Sequence, residues 1–400
     1  MQRLDTDSTI LRQSGANLVA LLLTSVAGIL AVRLSGAVAF THYAQALAAT
    51  SIGHLIVTQR LEVLLLSSGA EQRERVLTVL RRVAFPALAT ITASCIVAFL
   101  VVGPSVRAAV LLVIPAVVAV HGLTEVLSAD RAARRSFGAL AANRMVFAVA
   151  LVIAIPISSV VSATGVALLV ADLVARTIAL VPLTRREPLD VGDPGTRTAL
   201  DIGEFRRSFL PAAAVSVVSI ALIPLVGPAL FRPERLAALL VVYRIASSLT
   251  GAIGRAVSLI SPVTMAAERG AAIDREYRAG ITRGAVTALA MCLAGIGLSF
   301  TPWRSYATAA FAVAPWLFAI GVAQVTAALF VARRWFSWSL RMTLVDTVLT
   351  CAGIALGVVA GSLTFGVGAY GFGAVAAAFA FAAAARQRDA PANTANRAAS

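Results

Sequence analysis

Apolar runs of about twenty residues recur along the whole of this chain, with arginine-rich stretches closing every second one. A helix needs about 20 apolar residues to cross a ~30 Å hydrocarbon core. Lipid offers no partner to a backbone N–H or C=O, so a spanning segment must satisfy its own hydrogen bonds, as a helix does. The alternating polar-inward pattern of a barrel strand is absent. The runs predict an all-α polytopic membrane protein of about twelve spans. They begin with Gly15–Leu34, read as an uncleaved first span, and Ala37–Thr58. The eighth is Leu236–Ile260 and the last Tyr370–Ala385.

Charge in the gaps alternates. Arg60, Arg73, Arg75, Arg81 and Arg82 follow the second run; Arg131, Arg134, Arg135 and Arg144 follow the fourth. The gaps after the sixth, eighth and tenth runs are similarly basic, and the odd-numbered gaps hold only Arg33, Arg107, Arg232, Arg235 and Arg304. Basic loops stay in the cytoplasm, so both termini are expected there. This distribution also accounts for the net charge of +15, which on one face would have suggested a nucleic-acid partner. A mean hydropathy of +0.87 with 13% charged residues excludes a soluble domain. The absence of lysine suggests a GC-rich bacterial genome, and so a bacterial cytoplasmic membrane.

The expected organisation is an N-lobe of six spans (1–183), a cytoplasmic linker (184–207) rich in Pro and Gly, a C-lobe of six spans (208–385) and a disordered cytoplasmic tail (386–400). Arg12, Tyr43 and Gly53 in the first half match Arg207, Tyr243 and Gly254 in the second. With six spans per half, that is a parallel repeat. Cys95, Cys292 and Cys351 each lie inside an apolar run without a CxxC partner, which suits small buried side chains rather than a metal or disulfide.

Charge inside a span is costly and marks candidate function. In the eighth span Arg244, Ser248 and Arg255 share a narrow stripe: the arginines, eleven residues apart, point within about 20° of each other. The stripe either faces a watery cavity or its arginines snorkel to opposite interfaces. In the sixth span Asp172 and Arg176 sit one turn apart, as a structural ion pair or a proton- or ligand-sensitive one. His42 and Gln45 on the second span suit a cavity lining or close helix packing. His121 and Glu125, at i and i+4 on the fourth, suit a proton relay or an interfacial anchor. Asp346 lies a turn inside the eleventh span, where interfacial exposure is the plainer expectation. There is no phosphate-binding Walker pattern, and no outer gap is long enough for a catalytic domain. An enzyme is therefore not expected; a membrane polysaccharide polymerase or glycosyltransferase stands as the alternative of a different class, against which the short outer gaps argue.

The stretch LAVRLSGAVAFTHYAQALAATSIGHLI resembles the first and second spans of polysaccharide flippases in the multidrug/oligosaccharidyl-lipid/polysaccharide exporter superfamily. Ser35 stands in place of a Leu and Thr41 in place of a Gly. VVYRIASSLTGAIGRAVSLISPV resembles that family's eighth span, with Arg244, Gly254 and Pro262 matching. Arg255 and Thr250 depart from its usual Gln and Pro. DRAARRSFGALAANR resembles its loop after the fourth span. The resemblance implies a two-lobed flippase that carries a polyprenyl-diphosphate-linked oligosaccharide to the outer leaflet for surface polysaccharide, including lipopolysaccharide, biosynthesis. Its partners would be membrane lipids and polysaccharide assembly proteins. It implies no bound cofactor, and leaves a proton or sodium gradient as the energy source. Arg244, Arg255, Ser248, His42 and Gln45 are then the substrate-binding candidates, and Asp172, Arg176, His121 and Glu125 the coupling candidates. A drug or metabolite exporter, or a peptidoglycan-precursor flippase, of the same superfamily is the alternative.

Overall fold

The computed structural model describes residues 2–65, 70–105, 108–134, 136–184, 202–246, 271–333 and 335–389. All regular structure among them is helical. Ten of the helices are long and apolar enough to cross a membrane. One, α1 (Gln2–Thr58), accounts for two expected spans. Its apolar stretch Val19–Thr58 is 40 residues long, about twice what a bilayer needs. It is broken at Gly36, whose φ of 84° and ψ of 162° only glycine adopts without strain. The eighth expected span is described only as the helix 233–246, which opens on Pro233 at its first position. The chain is thus an all-α polytopic membrane protein.

The side chains agree. Phe85, Val160 and Phe300 are 80%, 88% and 87% exposed, which water would penalise heavily and lipid does not. The cysteines correct the expectation of burial: Cys351 is exposed, Cys95 and Cys292 half-buried, and all three are free. An apolar exterior accommodates a thiol as readily as a core.

The chain divides into two compact units, Met1–Pro228 and Ala229–Ser400. The first contains α1, α2 (Glu62–Leu65), α3 (Ala70–Val102), α4 (Ala109–Ala133), α5 (Phe137–Val161), α6 (Gly165–Thr184), α7 (Ile202–Ser208) and α8 (Leu210–Leu230). Here α5 packs on α6 and α1, and α4 on α6. Within the stretch read as a linker, α7 is helical and inserts Phe205 into an apolar cluster with Leu61, Leu64, Leu65, Val76, Leu80 and Ala129. The end of the unit that carries this cluster is the arginine-rich one.

The second unit contains α9 (233–246), α10 (Ala271–Ser299), α11 (Arg304–Ala332), α12 (Phe336–Val359) and α13 (Leu363–Asp389). Its centre is α11, with Ala309, Val313, Leu317, Val322, Val325 and Leu329 essentially fully buried against α10 and α13. Glycine permits these crossings. A Cβ on Gly321 would lie 2.5 Å from the Gly280 carbonyl, and one on Gly366 would collide with the Gly353 carbonyl. The helix α13 runs four residues into the stretch read as tail, because Arg333 binds Asp389 through Nε (2.9 Å) and Nη2 (3.4 Å).

Candidate functional site

The second half of α1 organises the interior of the first unit. Its face carrying Ser35, His42, Gln45 and Ala49 lines a cavity of about 660 Å³. Val110 and Ile114 of α4, Thr164 to Val166 at the start of α6, and Leu225 of α8 complete the wall. Gly165 allows this closeness: a Cβ there would stand 2.9 Å from the Ala39 carbonyl and the His42 Cβ. Gln45 Nε2 donates to the Leu225 carbonyl at 3.2 Å. That carbonyl lies between Pro224 and Pro228, whose missing N–H groups loosen the helical ladder around it. Both sequence candidates on this helix, His42 and Gln45, therefore face the cavity. Among the described residues its lining contains no carboxylate and no Phe, Tyr or Trp ring.

The coupling candidates lie elsewhere on the same helix and its neighbours. Tyr43 is fully buried and donates through its hydroxyl to Asp172 Oδ1 at 3.1 Å. Arg176 Nε donates to Asp172 Oδ2 at 2.5 Å, and the guanidinium stacks over Phe147 at 5.1 Å. Asp172, 0% exposed, is thus held between a phenol and a guanidinium.

Further toward the arginine-rich end, His54 and His121 stack with centroids 4.6 Å apart and planes 14° from parallel. His121 Nε2 stands 3.9 Å from Glu125 Oε1. Charges on Arg60, Arg176, Asp172 and Glu125 act on this pair. Sequence reasoning did not single out His54. Only its place on an otherwise apolar face, across from His121, could have signalled it.

Below the histidines the chain turns through Gln59 and Arg60, whose φ of 50° and 57° put two side-chain-bearing residues in the left-handed region. The turn buries Glu62, 4% exposed, with Arg60 Nη1 3.5 Å from its Oε1. Burial raises the Glu62 carboxyl above the usual carboxylate range, and the opposing Arg60 charge only partly offsets this.

In the second unit, Arg244 is half-buried near the described end of α9, beside Tyr243, whose ring stacks on Trp316 at 4.8 Å. Asp346, expected at an interface, is instead half-buried and accepts from the Tyr370 hydroxyl at 2.9 Å, which supplies the partner that open water would have. Ser248 and Arg255 lie outside the described residues.

No protein-family model and no curated protein sequence matches the chain. Solved structures do. A chain described only as protein A superposes with a TM-score of 0.60 at 13% identity, covering 94% of each chain. A crystal structure of a mutant of MATE gives 0.52 at 13% identity over 96% of both chains. An inward-facing multidrug resistance MATE family transporter of the MOP superfamily gives 0.50 at 14% identity, over 96% of this chain and 95% of that one. At such identities the likeness is one of architecture: the chain has the fold of the MATE transporters of the MOP superfamily.

Proposed function

We propose that the protein is a membrane transporter for an anionic, lipid-anchored substrate, a flippase for polyprenyl-diphosphate-linked oligosaccharides. The observation that carries this reading is the acid-free lining of the first unit's cavity, with Ser35, His42, Gln45 and Thr164 as its polar side chains. An anion would be repelled by carboxylates in such a wall, and a cationic drug would need carboxylates or aromatic faces there. In the second unit, taken by itself, Arg244 is half-buried and offers a positive charge suited to a diphosphate by charge and by forked hydrogen bonding. The substrate's lipid tail stays in the bilayer while its head group crosses on polar side chains. The arginine distribution supports a cytoplasmic membrane with both termini inside.

Export of a lipid-linked glycan from cells carrying Arg244→Ala tests this. Export is expected to fall at least about tenfold, one charge-assisted hydrogen bond's worth, with the protein still in the membrane. Arg244→Lys restores it partly, since it keeps charge but loses the fork. Undiminished export by Arg244→Ala would show that Arg244 does not bind the substrate. The multidrug exporter named among the structural neighbours is the second reading, and protection against cationic drugs in place of glycan export would favour it.

A further inference from the structure

At the arginine-rich end of the second unit, the junction of α11 and α12 meets the end of α13. Trp338 is fixed there from within: its ring meets Phe381 edge-on at 6.3 Å and tilts against the fully buried Phe330 at 6.2 Å. Two guanidinium groups lie over this one indole, Arg341 at 5.5 Å and Arg388 at 5.6 Å. Arg388 also lies over Trp335 at 5.0 Å.

The acids of this neighbourhood are already engaged. Asp389 holds Arg333, and Asp274 holds Arg386 at 3.1 Å. Among the described residues no carboxylate comes within 4.0 Å of a guanidinium nitrogen of Arg341 or Arg388. Both arginines are exposed. Like charges repel, and the ring quadrupole cancels only part of that cost. A shared anion removes the remainder. Tryptophans at helix ends lie at head-group depth in a bilayer, so the anion most abundant at this height is a lipid phosphate. The uncapped N-terminus of α12 beside Trp335 adds its dipole in the same sense.

We propose that Arg341 and Arg388 together bind the head-group phosphate of an anionic phospholipid, with Trp335 and Trp338 as the platform that holds the two guanidiniums. Each arginine contributes a charge-assisted hydrogen bond to phosphate oxygen, and the acyl chains lie against the lipid-facing sides of α12 and α13. This site is independent of the substrate reading above.

The full chain, purified in detergent, would be titrated with phosphatidylglycerol, with phosphatidylcholine and with inorganic phosphate, and bound lipid counted by native mass spectrometry. Phosphatidylglycerol should bind most tightly, and Arg341→Gln/Arg388→Gln should weaken it about thirtyfold, from two surface arginines. Arg386→Gln, a charge loss from the same belt at an arginine that has its own carboxylate, should change binding by less than about twofold. Arg341→Lys/Arg388→Lys should retain part of the affinity and show that the folded surface persists. Equal losses in Arg386→Gln and the double variant would overturn the site in favour of diffuse charge. Equal binding of phosphatidylcholine, or displacement of the lipid by inorganic phosphate, would also overturn it.

Discussion

Tyr43 on α1 and Asp172 on α6, 129 residues apart in sequence, meet through a 3.1 Å hydrogen bond from the phenol to Oδ1. Arg176 takes the other carboxylate oxygen. Breaking a buried ion pair from one side strands a charge at a cost of about 3–5 kcal/mol, whereas replacing both partners by apolar groups of similar size is near neutral. Arg176→Ala should therefore lower the thermal midpoint in detergent strongly. Asp172→Leu/Arg176→Leu should recover most of the loss. If the double variant is no more stable than the single, the pair does more than neutralise itself.

The histidine stack yields a functional expectation. If unit one couples transport to protons, the stacked His54 and His121, with Glu125 beside them, are the side chains placed to carry one. Replacing His121 by Asn should lower proton-driven transport, and Glu125→Gln should lower it as well. Glu62, Asp172, Arg60 and Arg176 remain as the other charged neighbours. A sodium-driven protein would instead keep its transport in both variants and lose it when sodium is replaced.

Glu62 makes a separate, signed prediction. Its carboxyl is raised in the folded state by burial. A folded state that holds a proton more tightly than the unfolded one is favoured at low pH and loses that advantage as pH rises through the raised value. Glu62→Gln should thus be more stable than the parent above the ordinary carboxylate range and converge with it in acid. Thermal midpoints across pH would show the divergence, and parallel curves would refute it.

Glycine crossings supply the fourth test. Gly366→Ala drives a methyl into the Gly353 carbonyl and Gly321→Ala drives one into α10, so each should cost about 1–3 kcal/mol. Gly297→Ala meets nothing within 4 Å in an ordinary helix and should be neutral or stabilising. Equal effects at all three would mean that backbone entropy, not contact, governs these sites.

Most of the architecture was legible because hydropathy is a one-dimensional signal. A run such as Val83–Val102 declares its length and apolarity locally, although α3 begins earlier, at Ala70, because its arginine-bearing first turns are good helix formers that hydropathy ignores. The seven-residue α7 escaped notice for the opposite reason: it carries just two apolar residues that meet the core, Phe205 and the partly buried Ile202, and a short amphipathic turn in a polar stretch looks like linker. Within the site, His42 and Gln45 could be read from their shared helical face. The partnership of Tyr43 with Asp172, and of His54 with His121, could not, since each depends on two distant helices touching. The pairing of Asp389 with Arg333, which extends α13, was hidden by the same fact.

The break at Gly36 is one residue wide. Two spans joined without slack form a single hairpin for insertion and for mechanics, so neither can slide along the bilayer normal without dragging the other. An epitope or protease site inserted there would lengthen the connection and release that coupling.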